Sequence, residues 1–238
     1  MLYNWNDNTF RWMKEASEYT GYDKELASVL LPYLSGCKSL CDLGCGMAFI
    51  DFELAPHFQK IYCVDISSEL IRNVNQRIQT QRISNMEAVC SDSFEFLEKI
   101  GEKSFDAIIA LFFGDAEKSI DRYLAYARKK YILVVHASAY GTTGPEKYRI
   151  RKCCDIDHTK ELLKERGLNY QFQEMSLEFG QPHRNFEEAV AYTKAFTKNV
   201  PEDELRDYVK EHITETGRVD FPFYTPKQRS FGIFAVEV

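Results

Sequence analysis

The chain has 238 residues, with 45% hydrophobic and 28% charged side chains and a formal net charge of −6. That length buries one sizeable core, and the charge balance argues against a surface that grips nucleic acid through many phosphates. No stretch approaches the ~20 apolar residues of a membrane-spanning helix. The N-terminal Met-Leu-Tyr-Asn-Trp-Asn-Asp lacks the blocks of a signal peptide, and seven cysteines without a small-domain framework suit a reducing cytoplasm.

After an aromatic arm containing Tyr3, Trp5 and Trp12, residues 7–19 and 22–34 read as two helices. A regular alternation follows: strand 38–43, helix 48–58, strand 60–64, helix 67–80, strand 86–90, helix 93–100, strand 105–112, helix 116–129 and strand 131–136. Short apolar strands alternating with amphipathic helices predict an α/β fold, a doubly wound, mostly parallel sheet covered on both faces. Right-handed crossovers bring the C-terminal end of every strand to one edge. Helix 67–80 shows the period plainly, with Leu70, Ile71, Val74 and Ile78 on one face and Ser67 or Ser68 as its cap. Beyond 140 the pattern changes: helix 155–166 stops at Gly167 and an alternating stretch covers 170–179. Two further helices follow, the first capped by Asn185 with Glu188 completing a capping box, the second starting at Pro201.

The most informative run is Leu40-Cys-Asp-Leu-Gly-Cys-Gly-Met-Ala-Phe-Ile50, with Asp65 nineteen residues after Gly46. A strand, a glycine turn and a helix N-terminus present free backbone N–H groups to a carboxylate or phosphate. Asp65, closing the second strand, has the geometry to accept hydrogen bonds from both hydroxyls of a ribose. Together they describe a nucleoside-containing cofactor lying across two adjacent strand ends. A dinucleotide site wants glycine at the first, third and sixth positions of the turn, and the sixth here is Phe49, whose ring should obstruct close helix–strand packing.

The segment Asp42-Leu-Gly44-Cys-Gly46-Met-Ala48 resembles the first motif of the class I S-adenosylmethionine-dependent methyltransferases, acid-x-Gly-x-Gly-x-Gly. Ala48 replaces the third glycine, a mild change if the residue has helical dihedrals. The resemblance spans 38–136. It implies a Rossmann-like seven-stranded sheet closed by an antiparallel hairpin of 170–177 and 230–238, S-adenosylmethionine as cofactor, and methyl transfer to a small-molecule acceptor. By the same resemblance, Asp42, Gly44 and Gly46 face the methionine end of the cofactor and Asp65 its ribose, with Ile66 beside the adenine. Asp92 holds the adenine amino group, the Ser93 N–H a ring nitrogen, and Phe94 lies against the base. Leu111, with Phe112 and Phe113, borders the sulfonium. The expected organisation is one domain: a helical arm over 1–36, a cofactor core over 37–140, and a C-terminal part over 141–238. A helical insertion at about 180–228 joins the arm in recognising the acceptor.

Methyl transfer needs a base only where the acceptor has a proton to lose. His136, ending the fifth strand, is the candidate, with Tyr140 and His183 behind it. Tyr3, Trp5 or Trp12 could fold over the sulfonium and exclude water. The fourth strand ends Leu111-Phe-Phe-Gly-Asp115, without the Asn/Asp-Pro-Pro-Phe/Tyr motif of enzymes that methylate exocyclic amines. Neither a Pro-Cys nucleophile nor the Asp-Asn pair of metal-dependent catechol enzymes is present, and no metal site is expected. Cys37, Cys41 and Cys45 do not have the spacing of a radical-enzyme cluster. Cys153-Cys154 read as buried small hydrophobes ahead of a thiophilic site. Lys147, Arg149, Arg151 and Lys152 read as a solvated basic face ahead of an acidic-substrate site. An NAD-dependent oxidoreductase and a catalytically inactive S-adenosylmethionine-binding module stay open as alternatives, as does the oligomeric state.

Overall fold

The computed structural model describes residues 7–138, 143–150 and 155–238. Tyr3, Trp5, Tyr140, Arg151, Lys152, Cys153 and Cys154 lie outside the described residues. Two helices, α1 (Asp7–Thr20) and α2 (Tyr22–Leu30), precede the alternation β1 (Ser39–Leu43), α3 (Phe49–Leu54), β2 (Lys60–Asp65), α4 (Ser68–Gln81), β3 (Met86–Cys90), α5 (Ser93–Ile100), β4 (Phe105–Leu111), α6 (Ala116–Tyr126) and β5 (Ala127–His136). Then come α7 (Ile156–Glu165), β6 (Tyr170–Glu178), β7 (Gln181–His183), α8 (Phe186–Ala195), α9 (Glu202–His212), β8 (Thr214–Glu215), β9 (Phe223–Thr225) and β10 (Gln228–Glu237).

Seven strands form one sheet in the order β3-β2-β1-β4-β5-β10-β6. The β1–β2, β1–β4, β2–β3 and β4–β5 pairs are parallel, and β10 runs antiparallel to β5 with Phe231 opposite His136. The strand order reverses between β1 and β4. The C-terminal ends of those two strands therefore flank the crevice where ligands bind in such sheets. The buried strand β4, Phe-Asp-Ala-Ile-Ile-Ala-Leu, is apolar on both faces at Ile108 and Ile109, as a central parallel strand must be.

Four features differ from the sequence expectation. Helix α3 ends at Leu54 and gives way to a 3₁₀ turn at Ala55–His57, where one helix over 48–58 was expected. Helix α2 stops at Leu30 because Pro32 disfavours helical backbone just before it. Helix α6 ends at Tyr126, and the charged Arg128–Lys130 stretch belongs to β5. Pairing of Ala127 with Phe105 and of Lys130 with Ala107 holds it in the ladder against its polar composition. The insertion is not purely helical: β7, β9 and β8 form a separate three-stranded sheet.

The chain divides into two compact units that interleave along the sequence. One comprises Asp23–Ala137, 154–175 and Phe231–Val238; the other comprises the chain up to Tyr22, 138–153 and Ser176–Ser230. In the second unit α1 packs on β7, and α8 packs on α9 around Ala189, Val190, Leu205 and Val209. Trp12 is consumed in this packing: it is buried, its indole N–H donates to Glu188 at 3.4 Å, and its ring meets Tyr192 edge-on. It therefore has no freedom to fold over a sulfonium.

Candidate cofactor site

The site lies within the first unit and is built on main-chain geometry. Gly44 and Gly46 have φ of 72° and 56°, the left-handed region that glycine enters without strain. The N–H groups of Gly44 and Cys45 donate to the Val64 carbonyl at 2.8 and 3.1 Å, tying the turn to β2. A Cβ on Gly44 would lie 2.1 Å from the Phe113 ring, whereas nothing lies within 4 Å of one on Gly46. Gly44 is thus required by contact as well as by conformation, and the space beside Gly46 is open.

Asp65 closes β2 and is clamped by the backbone. One carboxylate oxygen accepts from Gly46 N–H at 3.0 Å and the other from Ser67 N–H at 2.9 Å. Ser67 in turn caps α4 by accepting from Leu70 N–H. Each oxygen of the half-buried carboxylate keeps a further lone pair for a ligand hydroxyl. The next residue, Ile66, is 60% exposed, an apolar side chain left in water at the sheet edge.

Asp92 caps α5, one oxygen accepting from Phe94 and Glu95 N–H at 2.8 and 3.2 Å. The Ser93 hydroxyl shares a hydrogen bond with Tyr123 at 3.0 Å. Phe94 packs 5.3 Å from Tyr123, and the Arg122 guanidinium lies 3.7 Å from the Phe94 ring centre. At the end of β4, beyond half-buried Leu111, Phe112 adopts φ of 55°, unusual for a bulky residue. Its N–H donates to the Val134 carbonyl, and its ring centre lies 4.6 Å from that of the His136 imidazole, the planes tilted by 32°.

Asp42 sits deeper than its neighbours. It is 2% exposed and lies against Asp51, which is fully buried on the first turn of α3. Oδ1 of Asp42 and both oxygens of Asp51 have no hydrogen-bond donor. Burial, and then the neighbouring Asp51, pushes the Asp42 carboxyl well above the ordinary carboxylate range. Burial also raises Asp51, to about 7. Two adjoining carboxyls in a dry pocket each disfavour the other's ionisation. Asp51 was not legible as a site residue, because its position on a short helix gives no sign of which way it faces.

Ala48 corrects an expectation. It precedes α3 with φ 52° and ψ 28°, a left-handed and not a helical conformation, so replacing glycine there stores strain of about 1–2 kcal/mol. The ring centre of Phe49, which is half-buried, lies 5.0 Å from the Arg77 guanidinium. His183 belongs to the other unit, fully buried, with Nε2 2.9 Å from the Thr225 hydroxyl; burial lowers its pKa to about 4. It is a neutral structural histidine. Cys37 and Cys41 are buried, and burial raises their thiols. Among the described residues no three His, Cys, Asp or Glu side chains are grouped to hold a metal ion. Lys147 pairs with Glu204 and Arg149 donates to the Gly144 carbonyl, as a solvated face does.

An acid clamped to a glycine turn, at the order reversal of a doubly wound sheet, defines the class of α/β proteins that bind a nucleoside-containing cofactor. Residues 35–176 match the family described as Methyltransferase domain, and the chain belongs to that family. The YcgJ protein of Bacillus subtilis has a similar fold, with a TM-score of 0.59 at 15% identity, over 89% of this chain and 98% of that one. So does a methyltransferase described as putative from Bacillus halodurans, with a TM-score of 0.57 at 12% identity, over 89% and 97% of the two chains. Magnesium protoporphyrin IX methyltransferase of Synechocystis, solved with bound S-adenosylmethionine, gives a TM-score of 0.51 at 16% identity, over 92% and 80%. No curated protein matches the chain in sequence. Among the described residues no helix is long and apolar enough to cross a membrane.

Proposed function

We propose that the protein transfers the methyl group of S-adenosylmethionine to a small-molecule acceptor. The observation that carries this reading is Asp65: a carboxylate held at the end of β2 by Gly46 and Ser67 N–H, beside the exposed apolar Ile66. A ribose diol against Asp65, an adenine against Ile66, and an amino-acid moiety at the open side of Gly46 would satisfy these groups together. Asp92, through its second oxygen, and the Ser93 N–H would meet the adenine edge, with Phe94 bordering it. Gly44 and Leu111 would flank the methionine end. The buried Asp42 would face that same end.

Bound there, the cofactor supplies a sulfonium methyl already activated for in-line displacement. The chain's own task is alignment and water exclusion, and proximity of this kind supplies up to ~7–11 kcal/mol. The His136 imidazole, packed against Phe112 at the end of β5, takes the proton from an acceptor that must lose one. The decisive test is calorimetry with S-adenosylmethionine, S-adenosylhomocysteine and NAD. Micromolar binding of the first two and none of the third is the expected result; the reverse would make the protein an oxidoreductase.

A further inference from the structure

The glycine turn runs into α3 through a residue that does not favour the backbone it adopts. Ala48 is buried at φ 52° and ψ 28°, precedes a helix of six residues, and supplies no side-chain cap. An unrestrained alanine there relaxes toward right-handed dihedrals, and the Met47–Ala48 peptide plane turns with it. Both ends of that peptide are held. Its N–H donates to the Cys45 carbonyl at 2.8 Å, inside the turn. Its carbonyl, that of Met47, accepts from the Arg77 guanidinium at 3.3 Å, from α4.

The Arg77 side chain is half-buried, with its guanidinium carbon 3.8 Å from the ring centre of Phe52 and near the ring of Phe49, both on α3. Those rings favour the cation, shield one side of the charge-assisted bond from water, and fix the plane of the guanidinium. The helix that carries Arg77 starts beside the ribose acid: Ser67, its cap, gives the N–H that holds Asp65. One helix thereby ties both halves of the candidate site together. We propose that Arg77 is a positioning residue for the amino-acid end of the cofactor: it fixes the Met47–Ala48 peptide in its left-handed setting, and through it the Gly46 backbone beside which that end lies. In naming the cofactor this rests on the methyl-transfer reading; the brace on the turn does not.

The test is calorimetry on the full chain with S-adenosylhomocysteine and, separately, methylthioadenosine, which keeps the nucleoside and lacks the amino-acid group. Arg77→Met keeps the apolar stem and removes the donor; it should weaken S-adenosylhomocysteine about tenfold and methylthioadenosine by no more than about twofold. Arg77→Lys, which keeps a charged donor without the planar fork, should fall between the unaltered protein and Arg77→Met. Arg72→Met, at an exposed position of the same helix, should bind both probes as the unaltered protein does. In an Ala48→Gly background the penalty of Arg77→Met should shrink to about threefold or less, because glycine takes left-handed dihedrals without a brace. Equal losses for the two probes, or an undiminished penalty in the Ala48→Gly background, would overturn the proposal. Hydrogen exchange at the Ala48 N–H reads the brace without any ligand: Arg77→Met should speed it at least about tenfold, and unchanged exchange would also overturn the proposal. Failure of S-adenosylhomocysteine to bind the unaltered chain would sink the methyl-transfer reading, while the exchange rates still decide the brace. Arg77→Gln serves if the methionine variant does not fold.

Discussion

In the unit carrying the glycine turn, polar side chains at the site are held by the main chain: Gly46 and Ser67 N–H on Asp65, Phe94 and Glu95 N–H on Asp92. In the other unit, side chains hold side chains as well as being held by the main chain. Glu188 accepts from Trp12, Arg11 and the Arg184 guanidinium in addition to the Arg184 N–H, and Arg206 pairs with Glu187. Backbone donors are fixed by φ and ψ and cannot be titrated, so the cofactor edge should be rigid and indifferent to salt. Ion pairs near the surface weaken as salt screens them, so the second unit should respond to both salt and acid.

Gly44→Ala attacks the first arrangement hardest. A methyl group there meets the Phe113 ring at 2.1 Å in a left-handed backbone, so a loss of about 3–4 kcal/mol in chemical denaturation is expected, with cofactor binding lost. Next is Asp65→Ala, which should weaken S-adenosylhomocysteine roughly 30- to 100-fold by calorimetry, from lost charge-assisted hydrogen bonds. Asp65→Asn, keeping acceptor capacity on one side, should lose less. Glu188→Ala probes the second arrangement: a destabilisation of about 2 kcal/mol that shrinks in 1 M salt, with unchanged affinity for S-adenosylhomocysteine. A change in that affinity would erase the contrast between the units.

Smaller effects sharpen the picture. The raised carboxyl pKa values of Asp42 and Asp51 contribute stability that is complete below the ordinary carboxylate range and lost as pH rises through the folded values, about 7 for Asp51. Stability should therefore decline from about pH 4 up through about 7, where Asp51 gives up its proton. Asp51→Asn should flatten that decline, leaving the variant about 1–2 kcal/mol more stable at the alkaline end in urea titrations. Last, Ala48→Gly should relieve its left-handed backbone and gain about 0.5–1 kcal/mol, read as a small rise in Tm.

The parallel core was legible because its signals are local and repeated. Each strand is an apolar run, each helix such as α4 has its 3.6-residue period, and the glycines and Asp65 have fixed spacing. The conformation of Ala48 was not, since alanine favours a helix start and nothing in its neighbours announces a left-handed backbone. The strands β7, β8 and β9 are two or three residues long and made by pairing, not by alternation, so nothing in their composition announces them. The start of β5 failed for the related reason that Arg128–Lys130 read as a helix end. The role of Trp12 needed Glu188, which lies 176 residues away.

The place of β10 in the sheet has a consequence for how the protein is made. This strand is synthesised after every other described element, yet it lies between β5 and β6, not at an edge. Until it emerges from the ribosome, the hydrogen-bonding side of β5 facing away from β4 has no partner, and such an open ladder invites pairing with another nascent chain. Shortening the chain before Phe231 should thus yield aggregation in the cell and not a slightly weaker enzyme, however intact the glycine turn remains.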